Sequence, residues 1–330
     1  MNTSITIDQL REGLSEVATN PTAANDFFGT FHYLEQLLNG NSCAAFDEGI
    51  ELLQQCRRIA PDDYAKVHKG TPFYWLGTAA FLKHDYEIAV FFFDAACSED
   101  LRIGAHPIHN STPSFRFILV EADQPAQAAR SLVEATQKRL ERVIADYNCL
   151  PGRPSGVAPL QLKEIRDSFL MPAVLPSGGG LRTLATAFIS FCLEWDYMSA
   201  LITLRPCEGT TEPFFLHLFK GCLLFESLLK ANPKKPPKSA ENLGKTLQYL
   251  RSELGTAHNI TIRQVDFLTI LASLATAANS IPMAIEYAGR IRNTVGHHLG
   301  WKAPLEPGTY DSLASRVACA CLHAIACLYR

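Results

Sequence analysis

The spacing of apolar residues constrains this chain more than any other feature. They recur at intervals of three and four, as in Ile50, Leu53 and Cys56 and again in Val133, Leu140, Val143 and Ile144, which is the period of a helix that buries one face. The alternating runs rich in Val, Ile and Thr that mark half-buried strands are missing. Asn39-Gly40 follows the helical stretch 31–38, so it reads as a helix stop rather than a hairpin turn. The chain is expected to be all-α.

A length of 330 residues is long for a single hydrophobic core and favours two domains. With 47% hydrophobic and 19% charged residues the composition is that of a globular protein, not a disordered one. The net charge of −3 provides no global basic field, so nucleic acid would have to bind at a local patch. The most apolar stretches, 267–278 and 317–329, fall short of about 18 uninterrupted apolar residues and are expected to be buried helices, not membrane spans. The first residues, MNTSITIDQLREGLSE, lack the basic-then-apolar order of a signal peptide. Of ten cysteines, Cys97, Cys192, Cys222, Cys319 and Cys327 sit inside apolar helical runs and no CxxC pair occurs. Buried thiols of this kind behave as small hydrophobes, and a soluble protein of the reducing cytoplasm, with no membrane partner, is expected.

Helix-breaking segments divide the chain. Leu150-Pro151-Gly152-Arg153-Pro154-Ser155-Gly156, Pro176-Ser177-Gly178-Gly179-Gly180 and Arg205-Pro206-Cys207-Glu208-Gly209 are rich in turn residues. They set the expected domains: a helical array over 1–150, a helical connector over 151–210 and a second helical domain over 211–330. Within the array, Phe73-Tyr74-Trp75-Leu76-Gly77 through Phe81, followed by Asp85-Tyr86-Glu87-Ile88-Ala89, Phe93 and Ala96, resembles a tetratricopeptide helical hairpin. The resemblance implies that Gly77, Ala89 and Ala96 are small so that two helices can cross closely, with Phe93 packed between them. The stretch 45–61 resembles the second helix of another such unit, ended by Pro61, and Trp195-Asp196-Tyr197-Met198-Ser199-Ala200 is a distant echo. Ala80 departs from the pattern, where an aromatic is usual. An array of this kind implies a protein partner.

The last third carries the phrase Arg292-Asn293-Thr294-Val295-Gly296-His297-His298-Leu299-Gly300-Trp301-Lys302, placed after a helix that Pro282 opens and before a final apolar helix over 310–329. Four or five helices with R-N-x-x-x-H before the last one, together with an opening helix containing Gly221 through Lys230, resemble a HEPN-superfamily ribonuclease domain over roughly 211–330. The residue chemistry is compatible with that. RNA brings its own nucleophile, the 2′-hydroxyl, so cleavage requires only proton transfer and charge stabilisation, without metal or cofactor. Imidazole titrates near neutral pH, which suits His297 to the proton transfer. Arg292 has a planar fork for the scissile phosphate, and Asn293 can orient either partner. The resemblance implies single-stranded RNA as substrate, a 2′,3′-cyclic phosphate product, a site composed by two protomers and a role in a toxin or antiviral defence system. His298, Trp301 and Lys302 are expected to contact substrate, Trp301 by stacking on a base.

Five positions on an unbroken helix separate Arg292 from His297 by about 140°. Either Gly296 bends the backbone, or each group meets its counterpart from a twofold mate. The final helix, apolar nearly all round, is expected to be fully buried or shared with a partner. The alternative function is a non-catalytic scaffold whose array binds protein and whose C-terminal domain only dimerises. Other candidates are weaker. Cys319, His323 and Cys327 share one helical face at metal-ligand spacing but lack a fourth ligand; His106 and His109 sit in a loop, and Lys234, Lys235 and Lys238 form an extended basic loop.

Overall fold

A computed structural model describes residues 7–19, 41–109, 112–121, 130–154, 157–205, 209–232, 242–255, 262, 265–296 and 304–330. The fold is all-α: every regular element among the described residues is helical. The chain divides into two compact units, Met1–Val133 and Glu134–Arg330.

The first unit contains α1 (Ile7–Thr19), α2 (Ser42–Ile59), α3 (Pro61–Lys66), α4 (Gly70–Leu82), α5 (Tyr86–Arg102) and α6 (Pro113–Leu119). Asn41 caps α2 by accepting from the amide of Ala44 at 3.1 Å, and prolines open α3 and α6 where the missing N–H costs nothing. α4 and α5 form a tight hairpin. A Cβ placed on Gly77 would stand 2.9 Å from the Phe93 ring and 3.1 Å from the carbonyl of Ala89, so the crossing tolerates only glycine there. Ala89, Ala96 and Phe93 are fully buried, and Phe93 stacks on Phe117 with centroids 3.9 Å apart. A buried polar network ties the start of α4 to the end of α5. Asp100 receives Ser114 Oγ at 2.6 Å and lies 3.0 Å from His68 Nε2, while Glu99 accepts from the Lys69 amide at 3.0 Å and from Arg102 at 2.8 Å.

The second unit contains α7 (Arg130–Cys149), whose first turn straddles the division between units, then α8, α9 (Gly179–Leu204), α10 (Glu212–Ala231), α11 (Leu243–Tyr249), α12 (Phe267–Leu274), α13 (Ile281–Val295) and α14 (Pro307–Leu328). α8 runs from Leu162–Ile165 through a π-helical turn at Arg166–Leu170 to Met171–Val174. α14 is the axis of the unit, packed by α9, α10 and α13. It lies parallel to α10, since His217 meets Tyr310, Gly221 meets Val317 and the Leu228 carbonyl accepts from Tyr329. α13 runs antiparallel to α10, with Gly296 beside Phe219 and Arg292 beside Glu226. A Cβ on Gly221 would fall 2.5 Å from Phe191 and 2.6 Å from Val317, which fixes how closely α9, α10 and α14 approach.

By length and composition α9 and α14 are each apolar enough to cross a membrane, longer than the runs the sequence suggested. Most of α14 is packed inside the unit. Leu313, Val317, Ala318, Cys321, Leu322 and Ile325 are all fully buried there, so the apolar circumference of this helix is covered without a second chain.

Polar groups in this interior are met in a consistent way. His217 donates from Nε2 to the Phe191 carbonyl at 3.0 Å and accepts at Nδ1 from the Tyr310 hydroxyl at 2.8 Å. His323 repeats the wiring with the Leu254 carbonyl at 2.9 Å and the Tyr147 hydroxyl at 3.1 Å. Both ring nitrogens of His323 are thereby occupied, which leaves no lone pair for a metal shared with Cys319 and Cys327. Arg139, buried on α7, donates to the Cys192 carbonyl at 2.8 Å, pairs with Asp196 at 2.7 Å and stacks on Trp195. Arg316 differs. It is 5% exposed, lies over the Tyr287 ring at 4.6 Å, and its Nε and Nη1 have no hydrogen-bond partner among the described residues. Stacking of this kind contributes about 0.5–2 kcal/mol, less than the several kcal/mol that an unpaired buried ion costs.

These contacts place the division at 133/134, whereas the sequence set it at 150. They also group 151–210 with the residues that follow it, not as a separate connector. The reason is α7: Arg139 and Tyr147 satisfy groups on α9 and α14. A fragment beginning at Arg130 is expected to be soluble and to unfold cooperatively, whereas one beginning at Pro151 loses the Tyr147 hydroxyl from His323 Nδ1 and the Arg139 contacts to α9 and should be molten or insoluble. Circular dichroism and thermal unfolding of the two fragments decide this, and a well-folded 151–330 piece would contradict it.

Burial pulls His217 down to about 3 and His323 below its ordinary value as well. Below about pH 6.5 the unfolded chain takes up protons that the folded chain refuses. Stability is therefore full above that pH and falls by up to about 1.4 kcal/mol per pH unit for each histidine as the medium acidifies. Urea midpoints measured from pH 7.5 to 5, above the carboxylate range, should decline, and His217→Gln should flatten part of the slope. A flat wild-type profile would contradict the assignment.

Candidate functional site

α13 brings Arg292 and Asn293 to the surface by its periodicity. Ile281, Ala284, Ile285, Ala288, Ile291 and Val295 are buried, so the last turn leaves 292 and 293 half-exposed on the opposite side. Ile281 donates to the Pro151 carbonyl at 3.0 Å, and Thr294 anchors the far end by donating to the Val265 carbonyl at 2.7 Å. The helix ends at Val295 with Gly296 as its cap. The 140° separation expected of Arg292 and His297 on an unbroken helix therefore concerns a residue beyond that cap. His297, His298, Trp301 and Lys302 lie outside the described residues, as do Lys234, Lys235 and Lys238.

Two residues that the sequence left without a role join Arg292. Glu226 on α10, 5% exposed in its side chain, accepts from Arg292 Nε at 2.6 Å and from Nη2 at 3.5 Å. Lys230, one turn further on α10, donates to the same carboxylate at 2.6 Å. Asn293 Oδ1 stands 3.4 Å from Arg292 Nη1. A guanidinium has five N–H donors. Glu226 holds the edge formed by Nε and Nη2, so the outer edge keeps one hydrogen on Nη1 and one on Nη2, directed away from the carboxylate. The arrangement is two cations around one buried anion, with Arg292 35% and Lys230 40% exposed. The local excess of one positive charge faces solvent near the C-terminal end of α13, where cations are favoured.

Burial pushes the Glu226 carboxyl up, but the hydrogen bonds from Lys230 and Arg292 outweigh it and leave the group below the ordinary carboxylate range. It is ionised at neutral pH. A glutamate set between Phe225 and Leu228 in an apolar run, four residues before a lysine, was the available signal, because a carboxylate in such a place demands a counter-charge.

Beside this cluster, Leu216 and Leu223 on α10 are exposed and Phe219 is half-exposed between them. His106 lies in the first unit, where its Nδ1 accepts from the Ile108 amide at 3.2 Å and its ring lies 5.2 Å from that of His109. Cys319, His323 and Cys327 belong to the packed interior of α14, and no group of three metal-ligating side chains gathers among the described residues. No family model, curated protein or solved structure matches this chain.

Removing the Glu226 charge leaves two cations facing each other around a desolvated amide. Glu226→Gln is expected to cost about 1–3 kcal/mol, and Lys230→Met, an exposed pair member, about 0.5 kcal/mol or less. The Glu226 contribution is present above the usual carboxylate range and disappears as pH falls through its depressed value. Chemical denaturation of the two variants tests this ordering, and a larger loss from Lys230→Met would reverse it.

Proposed function

We propose that the protein is a metal-independent endoribonuclease of the HEPN type that cleaves single-stranded RNA. The observation that carries this reading is the divided use of Arg292. One edge is fixed by a buried carboxylate, and the other is presented to solvent five residues before His297. An arginine anchored in this way is oriented before substrate arrives, which is the condition for electrostatic stabilisation of a developing charge.

In the proposed reaction the outer fork of Arg292 grips the non-bridging oxygens of the scissile phosphate. The 2′-hydroxyl attacks phosphorus as its proton passes to a base, the bond to the 5′-oxygen breaks, and that oxygen takes up a proton as it leaves. His297 is the group for proton transfer, and the products are a 2′,3′-cyclic phosphate and a 5′-hydroxyl. Lys230 adds positive charge along the phosphate path, Asn293 steadies the Arg292 fork, and His298, Trp301 and Lys302 supply contacts to flanking nucleotides. The tetratricopeptide-like hairpins of the first unit serve a protein partner.

A homodimer through the second unit belongs to the same proposal. Its support is the exposed stripe of Leu216, Phe219 and Leu223, since the apolar final helix is covered within its own unit. One observation favours the scaffold reading instead: an arginine paired side-on with a buried glutamate is also what a purely structural ion pair looks like.

Labelled single-stranded RNA incubated with the purified protein in EDTA separates the two readings. Cleavage should persist in chelator and fall by roughly 100-fold or more in His297→Ala, with the unfolding midpoint unchanged. Full activity in that variant, or none in the wild type, leaves the scaffold. Complete loss in EDTA points to a metal enzyme. Light scattering should show a dimer that Leu223→Glu converts to monomer, and a monomeric wild type at micromolar concentration removes the dimer from the proposal.

A further inference from the structure

Arg316 is a second cationic centre that the proposed reaction does not use. It projects from the middle of α14, its residue is 5% exposed, and neither Nε nor Nη1 has an acceptor among the described residues. Arg139, Arg290 and Arg292 in the same unit each reach a carboxylate, on Asp196, Glu286 and Glu226 respectively. The ionisable groups acting on Arg316 are instead the Tyr287 phenol and the Cys319 thiol. Burial pushes Cys319 up to about 12, so it carries no negative charge at neutral pH. Tyr287 turns its ring face to the guanidinium and engages Ser273 through its hydroxyl at 2.7 Å. The ring covers one face of the cation but provides no acceptor in the guanidinium plane.

Buried polar groups are normally paired, and a buried unpaired cation is the costliest exception. Arginine is also the side chain that keeps its charge under burial, so deprotonation offers no escape. An oxyanion is the partner that a planar guanidinium with in-plane orphan donors accepts best. From these observations we infer that Arg316, backed by Tyr287, is the binding group of an oxyanion site between α13 and α14, distinct from the Arg292 cluster. Its ligand class is a small phosphate or carboxylate. Tyr287 and Arg292 are five residues apart on α13 and point to different sides of that helix, so occupancy of one site does not block the other.

The test uses the full chain and thermal unfolding at constant ionic strength, with potassium phosphate, acetate or chloride as the variable salt. Phosphate or acetate should raise the midpoint saturably, by about 3–6 °C at roughly a tenfold excess over the dissociation constant, with chloride as the baseline. Whichever anion gives the larger shift identifies the source. Arg316→Met should abolish the shift, and Arg316→Lys, which keeps the charge and the stem but not the fork, should reduce it by more than half. Arg292→Ala should retain it. The inference is overturned if neither anion exceeds chloride, or if the Arg316→Lys shift equals that of wild type. Loss of the shift in Arg292→Ala with retention in the Arg316 variants would also overturn it and place the anion at the proposed RNA site. Should Arg316→Met fail to fold, the wild-type, Arg316→Lys and Arg292→Ala arms decide alone.

Discussion

Burying most of α14 governs the second unit. A polar group on its buried faces cannot reach water, so the surrounding helices have to supply its partner, and Arg316 is where that fails among the described residues. His323 is met by a phenol on α7 and the Leu254 carbonyl that follows α11, and Cys321 by the carbonyl of Gly221. These demands decide which elements belong together. α7 is drawn into the unit because it brings the phenol, and α10 approaches closely because Gly221 presents no side chain to Val317. Packing and hydrogen bonding therefore select the same arrangement, which is how a core becomes specific as well as stable.

The surface cluster on α10 and α13 depends on that core. Glu226 is buried because its helix packs against α14, and its charge then fixes the guanidinium of Arg292 and the ammonium of Lys230. The rigid interior extends to the first polar layer of the proposed site. His297, His298, Trp301 and Lys302, the other residues expected to approach a substrate, follow the Gly296 cap in the sequence and lie outside the described residues.

Much of the fold was legible in the sequence. The period of three and four announced helices throughout, and Gly77, Ala89 and Ala96 announced a tight hairpin because only small residues permit such a crossing. The last helices were located within a few residues. The domain division was misplaced because 150–156 looks like a linker by composition. What holds α7 to the later helices is a set of single contacts, Arg139 to Cys192 and Tyr147 to His323, across 53 and 176 residues. Such pairings leave no local pattern. At the site, the Arg-Asn phrase was visible as a string, but the carboxylate that orients it comes from 66 positions away.

The side-on pairing of Arg292 with Glu226 has a consequence for which residues can stand at that position. Guanidinium spreads its hydrogens over three nitrogens in one plane, so it can face inward and outward at once. Lysine carries the same charge, but its three protons radiate from a single nitrogen at the end of a flexible stem. Satisfying the interior carboxylate would draw that nitrogen toward Glu226 and away from solvent, and serving an outer phosphate would abandon a charge that cannot be left bare. Position 292 is thus selective for shape more than for charge, and an exchange usually counted as mild would there be a change of kind.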